Sequence, residues 1–294
     1  MTGPLSLRLF TLALLVSLVL PVSSVMAGDK PPFDTAGGFS RFVQKASGFT
    51  WLTKTVANKA AKREIAKYSD HDRLEIKIRP YSGTDLIKGK VKQVNIKAKN
   101  LRIEEFFNIR DVVVNSNSET PPWVDLKSGQ VKTDVDGDFM IRLTDDDLNA
   151  AFNSPQFKDL TKDIKIKIGT VGEQHLFVDH VVADFVGTRL NVKADVGFIS
   201  PEGKVLSTAP LEVETDLVAD ANRNLLAFKN VKVKTIAEVQ DTSGLEAAIE
   251  EYGQTAIKPY KWLKPEVGWV KLSAIKIQPE AMVILGDFHL NERG

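Results

Sequence analysis

Leu211-Glu212-Val213-Glu214-Thr215-Asp216-Leu217 sets an apolar or β-branched residue at every odd position and a carboxylate at every even one. A period of two sends successive side chains to opposite faces, so the stretch reads as a strand with one dry and one wet side. The pattern repeats on either side of it. Leu190, Val192, Ala194, Val196 and Phe198 follow the same rule, as do Ile164, Ile166 and Ile168 against Lys165 and Lys167. Nearer the N-terminus, Leu74, Ile76 and Ile78, then Val94, Ile96 and Ala98, then Phe139, Ile141 and Leu143 alternate with polar residues. Residues 225–236 and 270–289 supply further strands, and turn residues at Asp136-Gly137, Ser200-Pro201-Glu202-Gly203 and Asp220-Ala221-Asn222 separate the runs. Long strands with a single apolar face predict an extended antiparallel sheet covered on one side only.

The cover is predicted over residues 39–68. Phe39, Phe42, Val43, Ala46, Phe49, Thr53, Val56, Ala57 and Ala60 recur at three- and four-residue steps, the signature of an amphipathic helix. Gly48 and neighbouring threonines weaken its middle. Two short helical inserts interrupt the strands, near 145–161 and 244–258. In the first, Thr144 is the expected N-cap, Asp145, Asp146 and Asp147 sit at the positive end of the helix dipole, and Leu143 can staple onto Leu148. Ser154-Pro155 starts a further turn. In the second, Ser243 and Glu246 have capping-box spacing and Pro259 closes the helix. The fold class is α+β: a long curled antiparallel sheet, residues 69–294, wrapped around a long N-terminal helix, with short helical inserts.

Residues 1–27 read as an export signal. Arg8 is their only charge, an apolar run follows from Leu9 to Val22, and Val25 and Ala27 stand where signal peptidase requires small residues. An uncleaved N-terminal anchor is the alternative, because about 18 apolar residues nearly span a bilayer. Residues 28–38 form a Gly- and Pro-rich lead-in. The expected location is the periplasm or an equivalent envelope compartment.

The 294 residues hold 39 Lys+Arg, 38 Asp+Glu and no cysteine. The missing cysteines exclude disulfides, thiolate metal sites and a cysteine nucleophile. A net charge of +1 makes no case for nucleic-acid binding. Its distribution is uneven, with seven basic residues and one acid between Arg41 and Lys67. A basic amphipathic helix either lies at an anionic membrane surface or packs on a core with its lysines solvated.

Signals for chemistry are weak. Asp134, Asp136, Gly137 and Asp138 suggest a calcium loop, but Lys132 and Leu143 fall where carboxylates are needed, so a hairpin turn at Asp136-Gly137 is expected. Gly83 to Lys90 is one residue too long for a phosphate loop, and Val91 replaces its hydroxyl. His175 and His180, five apart, point to opposite faces of a strand. No metal, cofactor or catalytic residue is expected.

Two stretches carry a resemblance. Leu86-Ile87-Lys88-Gly89-Lys90-Val91-Lys92-Gln93-Val94-Asn95-Ile96-Lys97-Ala98 and Arg142-Leu143-Thr144-Asp145-Asp146-Asp147-Leu148-Asn149-Ala150-Ala151-Phe152-Asn153-Ser154-Pro155 resemble the LmeA-like phospholipid-binding family, in the order strand, L-x-x-G-K-V turn, strand, capped helix. The resemblance spans roughly Leu74–Leu290. It implies a tubular lipid-binding fold related to the bactericidal/permeability-increasing protein superfamily, with an apolar groove for acyl chains and a phospholipid or other acyl lipid as partner. On that basis Phe42, Phe49, Leu52, Val56, Ile76, Ile96, Leu148 and Phe152 are candidate groove residues. Lys258, Tyr260, Lys261, Trp262 and Lys264, aromatics interleaved with lysines, are candidates for headgroup or membrane-surface contact. The competing expectation is a filled structural or protein-interaction module of the envelope. An enzyme of lipid or glycan metabolism would need a polar titratable cluster at a cleft.

Overall fold

The computed structural model describes residues 34–292 apart from 48–53, 56, 60, 63–68, 104–106, 117–121, 125–130, 169–171, 201–203, 221–223, 236–241 and 257–265. The leader 1–27 lies outside these residues, as does most of the lead-in.

The alternating segments form two antiparallel sheets rather than one. β1 (Arg73–Pro80), β2 (Val91–Ile103), β3 (Phe107–Ser116), β4 (Val135–Thr144), β11 (Ala281–Leu290) and β10 (Gly268–Gln278) make the first, in that spatial order. β5 (Ile164–Ile168), β6 (Gly172–Val186), β7 (Arg189–Ile199), β8 (Val205–Asp220) and β9 (Leu225–Thr235) make the second, a simple meander. The first insert divides them, because two helices stand between β4 and β5.

Register explains why the apolar faces merge. Leu74, Ile76 and Ile78 oppose Ala98, Ile96 and Val94, which in turn meet Val112 and Val114, then Ile141 and Phe139. Directly paired residues share a face, so one dry surface crosses the sheet. One large cluster of buried residues joins it to Ala183, Phe185, Leu190, Leu217 and Leu226 of the second sheet. Asp136-Gly137 is not the expected turn. Gly137 lies inside β4, opposite Phe288, where an added Cβ would fall 2.3 Å from the Phe288 ring.

Five helices complete the described fold: α1 (Gly38–Ala46), α2 (Gly83–Ile87), α3 (Asp145–Phe152), α4 (Pro155–Leu160) and α5 (Ser243–Ala256). One long helix over 39–68 is not shown: the described residues hold α1 and helical residues between 54 and 62, of which Ala57 and Ala61 pack on the main core, while 48–53 and 63–68 lie outside them. Among the described residues no helix is long and apolar enough to cross a membrane. α3 has the predicted capping box: Thr144 Oγ1 accepts from Asp147 N at 3.2 Å, and Asp147 Oδ2 accepts from Thr144 N at 3.0 Å. α5 begins just after Thr242, whose hydroxyl donates to Glu246 Oε1 at 3.0 Å.

Side chains also occupy strand edges. β5 pairs with only the first part of β6, and beyond it Asn149 of α3 donates to Ala183 O at 2.9 Å and accepts from Ala183 N at 2.6 Å. Asn224 treats β10 the same way, donating to Val270 O and accepting from Leu272 N at 3.0 Å. Glu246 and Glu250 of α5 accept from Val233 N and Val231 N of the edge strand β9, at 2.9 and 3.2 Å.

Candidate functional site

The two stretches singled out in sequence hold structure. In the first, α2 follows Ser82, whose Oγ caps Asp85 N at 3.1 Å. Leu86 and Val91 are buried, and Gly89 turns the chain at φ +75° against the backbone of Val124, where a Cβ would lie 1.7 Å from Val124 O. Only glycine meets both demands. Lys90 Nζ lies 4.5 Å from the centre of the Trp123 ring and donates to Asp34 O at 2.7 Å. In the second stretch, Asp147 is 3% exposed and accepts from Asn108, with Arg110 at 3.5 Å.

The histidines are dispersed. His175 pairs with Asp163 at 2.6 Å, His180 with Asp195 at 2.9 Å, and His289 with Asp136 at 2.6 Å while stacking on Trp269. Among the described residues no three His, Cys, Asp or Glu side chains converge as a metal site. A cleft of about 260 Å³ lies where α3 meets β6 and β7, lined by Asp145, Asn149, Asp184, Asn191 and Lys193 together with Val182 and Ala183. Its walls offer little to an acyl chain.

The concave face of the second sheet is different. Leu190, Val192, Ala194, Val196 and Phe198 share one face of β7, yet exposure rises along it from 6% at Leu190 to 40% at Phe198. Across the ladder, Val196 meets Val178 and Ala209, Phe198 meets Leu176, and Ala194 meets Leu211. Leu176 then meets Ile164. The result is a trough lined by Ile164, Leu176, Val196, Phe198, Leu211 and Val213. No titratable side chain from β7 or β8 shares that face.

One helix covers the trough in part. α5 touches both edge strands of the second sheet, β9 and β5, so the sheet is curled like a half-barrel with a helix across its opening. Beneath it Ala248 and Leu176, with the partly buried Ile164 and Val196, form a small apolar cluster separate from the main core. The convex face is charged. Arg189 bridges Glu214 and Asp216, Lys234 lies 3.6 Å from Glu212, and a hydrogen bond from Asn191 holds the Glu212 carboxyl below its usual range. The ion pairs mark the convex face, on which Val182 and Val186 are also exposed, opposite Lys193 and Arg189.

The candidate residues from sequence are scattered. Ile76 and Ile96 oppose each other inside the filled core, while Leu148 and Phe152 of α3 are partly buried against it. Phe42 is 69% exposed on α1. Phe49, Leu52, Val56, Lys258, Tyr260, Lys261, Trp262 and Lys264 lie outside the described residues. Apart from Leu176 on β6, the trough residues were legible as strand faces, but nothing in the sequence marks Val196 as open and Leu190 as closed.

The fold and this trough define a class: a curled antiparallel-sheet protein with an apolar concave face that one helix covers in part. The sequence profile of the LmeA-like phospholipid-binding family matches residues 49–286, and the chain belongs to that family. No curated protein matches it.

Proposed function

We propose that this is an exported, non-catalytic phospholipid-binding protein of the cell envelope that holds acyl chains in the trough of the second sheet and makes peripheral contact with a membrane. One observation carries the reading: along β7 the same apolar face passes from buried at Leu190 to open at Phe198. Exposed aliphatic and aromatic surface is costly in water, and each CH₂ of an acyl chain laid on it contributes about 0.8 kcal/mol. Membership of a phospholipid-binding family supports the ligand class. The uncharged lining supports binding over catalysis, since acid–base chemistry needs titratable groups at the cleft. Residues 1–27, with the character of an export signal, support the envelope location.

Native mass spectrometry of the protein purified from cells tests the reading, paired with uptake of a fluorescent phospholipid. Co-purifying phospholipid and saturable uptake are expected. Protein free of lipid and unable to take it up would instead be the filled module.

A further inference from the structure

Helix α1 rests on the body by its polar side. Gln44 Oε1 accepts from Thr84 N at 2.9 Å and its Nε2 donates to Thr84 Oγ1 at 3.0 Å. The Arg41 guanidinium lies 5.5 Å from the centre of the Tyr81 ring. The residues before the helix are pinned as well: Ala36 N donates to Asp85 Oδ1 at 2.9 Å, and Lys90 reaches Asp34 O. The opposite side of α1 holds Phe39, Phe42 and Val43, which are 82, 69 and 46% exposed. On the neighbouring α2, Ile87 is 56% exposed. No residue of α1 is buried. Amphipathic helices of soluble domains turn their apolar stripe to the core, and this one is reversed.

Positive charge predominates around the patch, with Asp34 ahead of the helix as an exposed acid. α1 carries Arg41 and Lys45 and no acid. Lys88 and Lys92 are exposed on the adjoining turn and strand. Asp85, the acid of α2, is 3% exposed and bound to Ser82 and Ala36.

We propose that α1 is a membrane-docking helix, lying flat on an anionic phospholipid bilayer with Phe39, Phe42 and Val43 at the acyl boundary and Lys45, Lys88 and Lys92 among the headgroups. Interfacial helices have this composition, with aromatics on one side and basic residues beside them. A second copy of the chain fits less well, because its identical patch would bring like charges together. α1 precedes residues 49–286, so it belongs to this chain beyond the part that matches the family. The inference gives the membrane contact proposed above a location and does not depend on the trough.

The chain has no cysteine, so Phe42→Cys accepts a single environment-sensitive fluorophore in the full-length protein. With vesicles containing phosphatidylglycerol, a blue shift and quenching by nitroxide lipids are expected. Phosphatidylcholine alone should produce little response, and added salt should weaken the anionic one. The same label at Lys77→Cys, on the exposed side of β1, stays polar. Lys45→Gln with Lys88→Gln lowers vesicle affinity about thirtyfold. Val43→Cys is the second reporter should Phe42→Cys fold poorly. No response at either position on anionic vesicles overturns the proposal. So does a blue shift already present without vesicles, which means the chain covers its own patch, or one that grows with protein concentration, which means a dimer. Lipid uptake is read separately on the same variants, so failure of the trough and failure of α1 are distinguishable.

Discussion

Ile96 in the first sheet and Val196 in the second both sit mid-strand, on the apolar face of a strand flanked by two others. Ile96 lies between Ile76 and Val114, is 6% exposed and belongs to the large continuous core. Val196 lies between Val178 and Ala209 and packs only at the edge of a small cluster around Leu176 and Ala248. The strands are made alike. What differs is the cover: the first sheet's apolar face closes over the proximal end of the second, whereas, among the described residues, one helix crosses the distal end. A filled core and a receptive surface therefore arise from one pattern, separated by what lies opposite.

The comparison breaks most visibly under charge. Ile96→Asp buries an unpaired carboxylate at a cost of about 4 kcal/mol or more, and should abolish cooperative urea unfolding. Val196→Asp should cost only about 1 kcal/mol, because water already reaches the site, while abolishing uptake of fluorescent lipid. Equal destabilisation by both would make the trough ordinary core.

A gentler probe uses glycines beneath rings. At Gly137 a Cβ would lie 2.3 Å from the buried Phe288 ring and 2.4 Å from Asn115 O, so Gly137→Ala should cost about 2–3 kcal/mol by thermal unfolding. At Gly197 the near atoms all belong to the partly buried Phe177 ring, which can swing outward. Gly197→Ala should cost less than about 1 kcal/mol. A larger loss there would show the second sheet to be packed as tightly as the first.

The smallest effect concerns the outer faces, where the sheets are similar. Arg102 bridges Asp70 and Asp72 at 2.7 and 3.1 Å, as Arg189 bridges Glu214 and Asp216. Hydrogen bonds from Arg102 to Asp70, and from Asn100 and then Arg102 to Asp72, hold both carboxyls below their usual range. The folded state therefore binds fewer protons in acid than the unfolded chain. That stabilisation is full above the unfolded value of about 3.9 and is lost as pH falls through the lower native values. Arg102→Gln should flatten the profile of Tm against pH below about pH 4 and move Tm at pH 7 by about 1–2 °C at most.

The legible strands were those whose alternation is unbroken, such as Leu74 to Ile78 and Leu190 to Phe198. β6 escaped because its phase changes midway: Leu176 faces inward at an even position, Val181, Ala183 and Phe185 at odd ones, across a bulge at His180 with φ +49°. β3 escaped because consecutive Val112, Val113 and Val114 blur the period. Asp136-Gly137 looked like a turn because its reason for glycine, the ring of Phe288, lies far along the chain. The helix cap at Thr144 was readable since a cap is local, and Ser154-Pro155, read as the start of a turn, opens α4 with Ser154 as its cap. The open end of the trough was not, because openness depends on cover and cover is tertiary.

Asn149 and Asn224 have a consequence for life at high concentration. Each carboxamide offers one donor and one acceptor, the complement of one residue in a ladder, and each is bonded to an otherwise unpaired stretch of β6 or β10. A strand from another molecule would find its first docking points taken, and a bulky helix or turn beside them. Two amides thus block part of two strand edges against edge-to-edge growth.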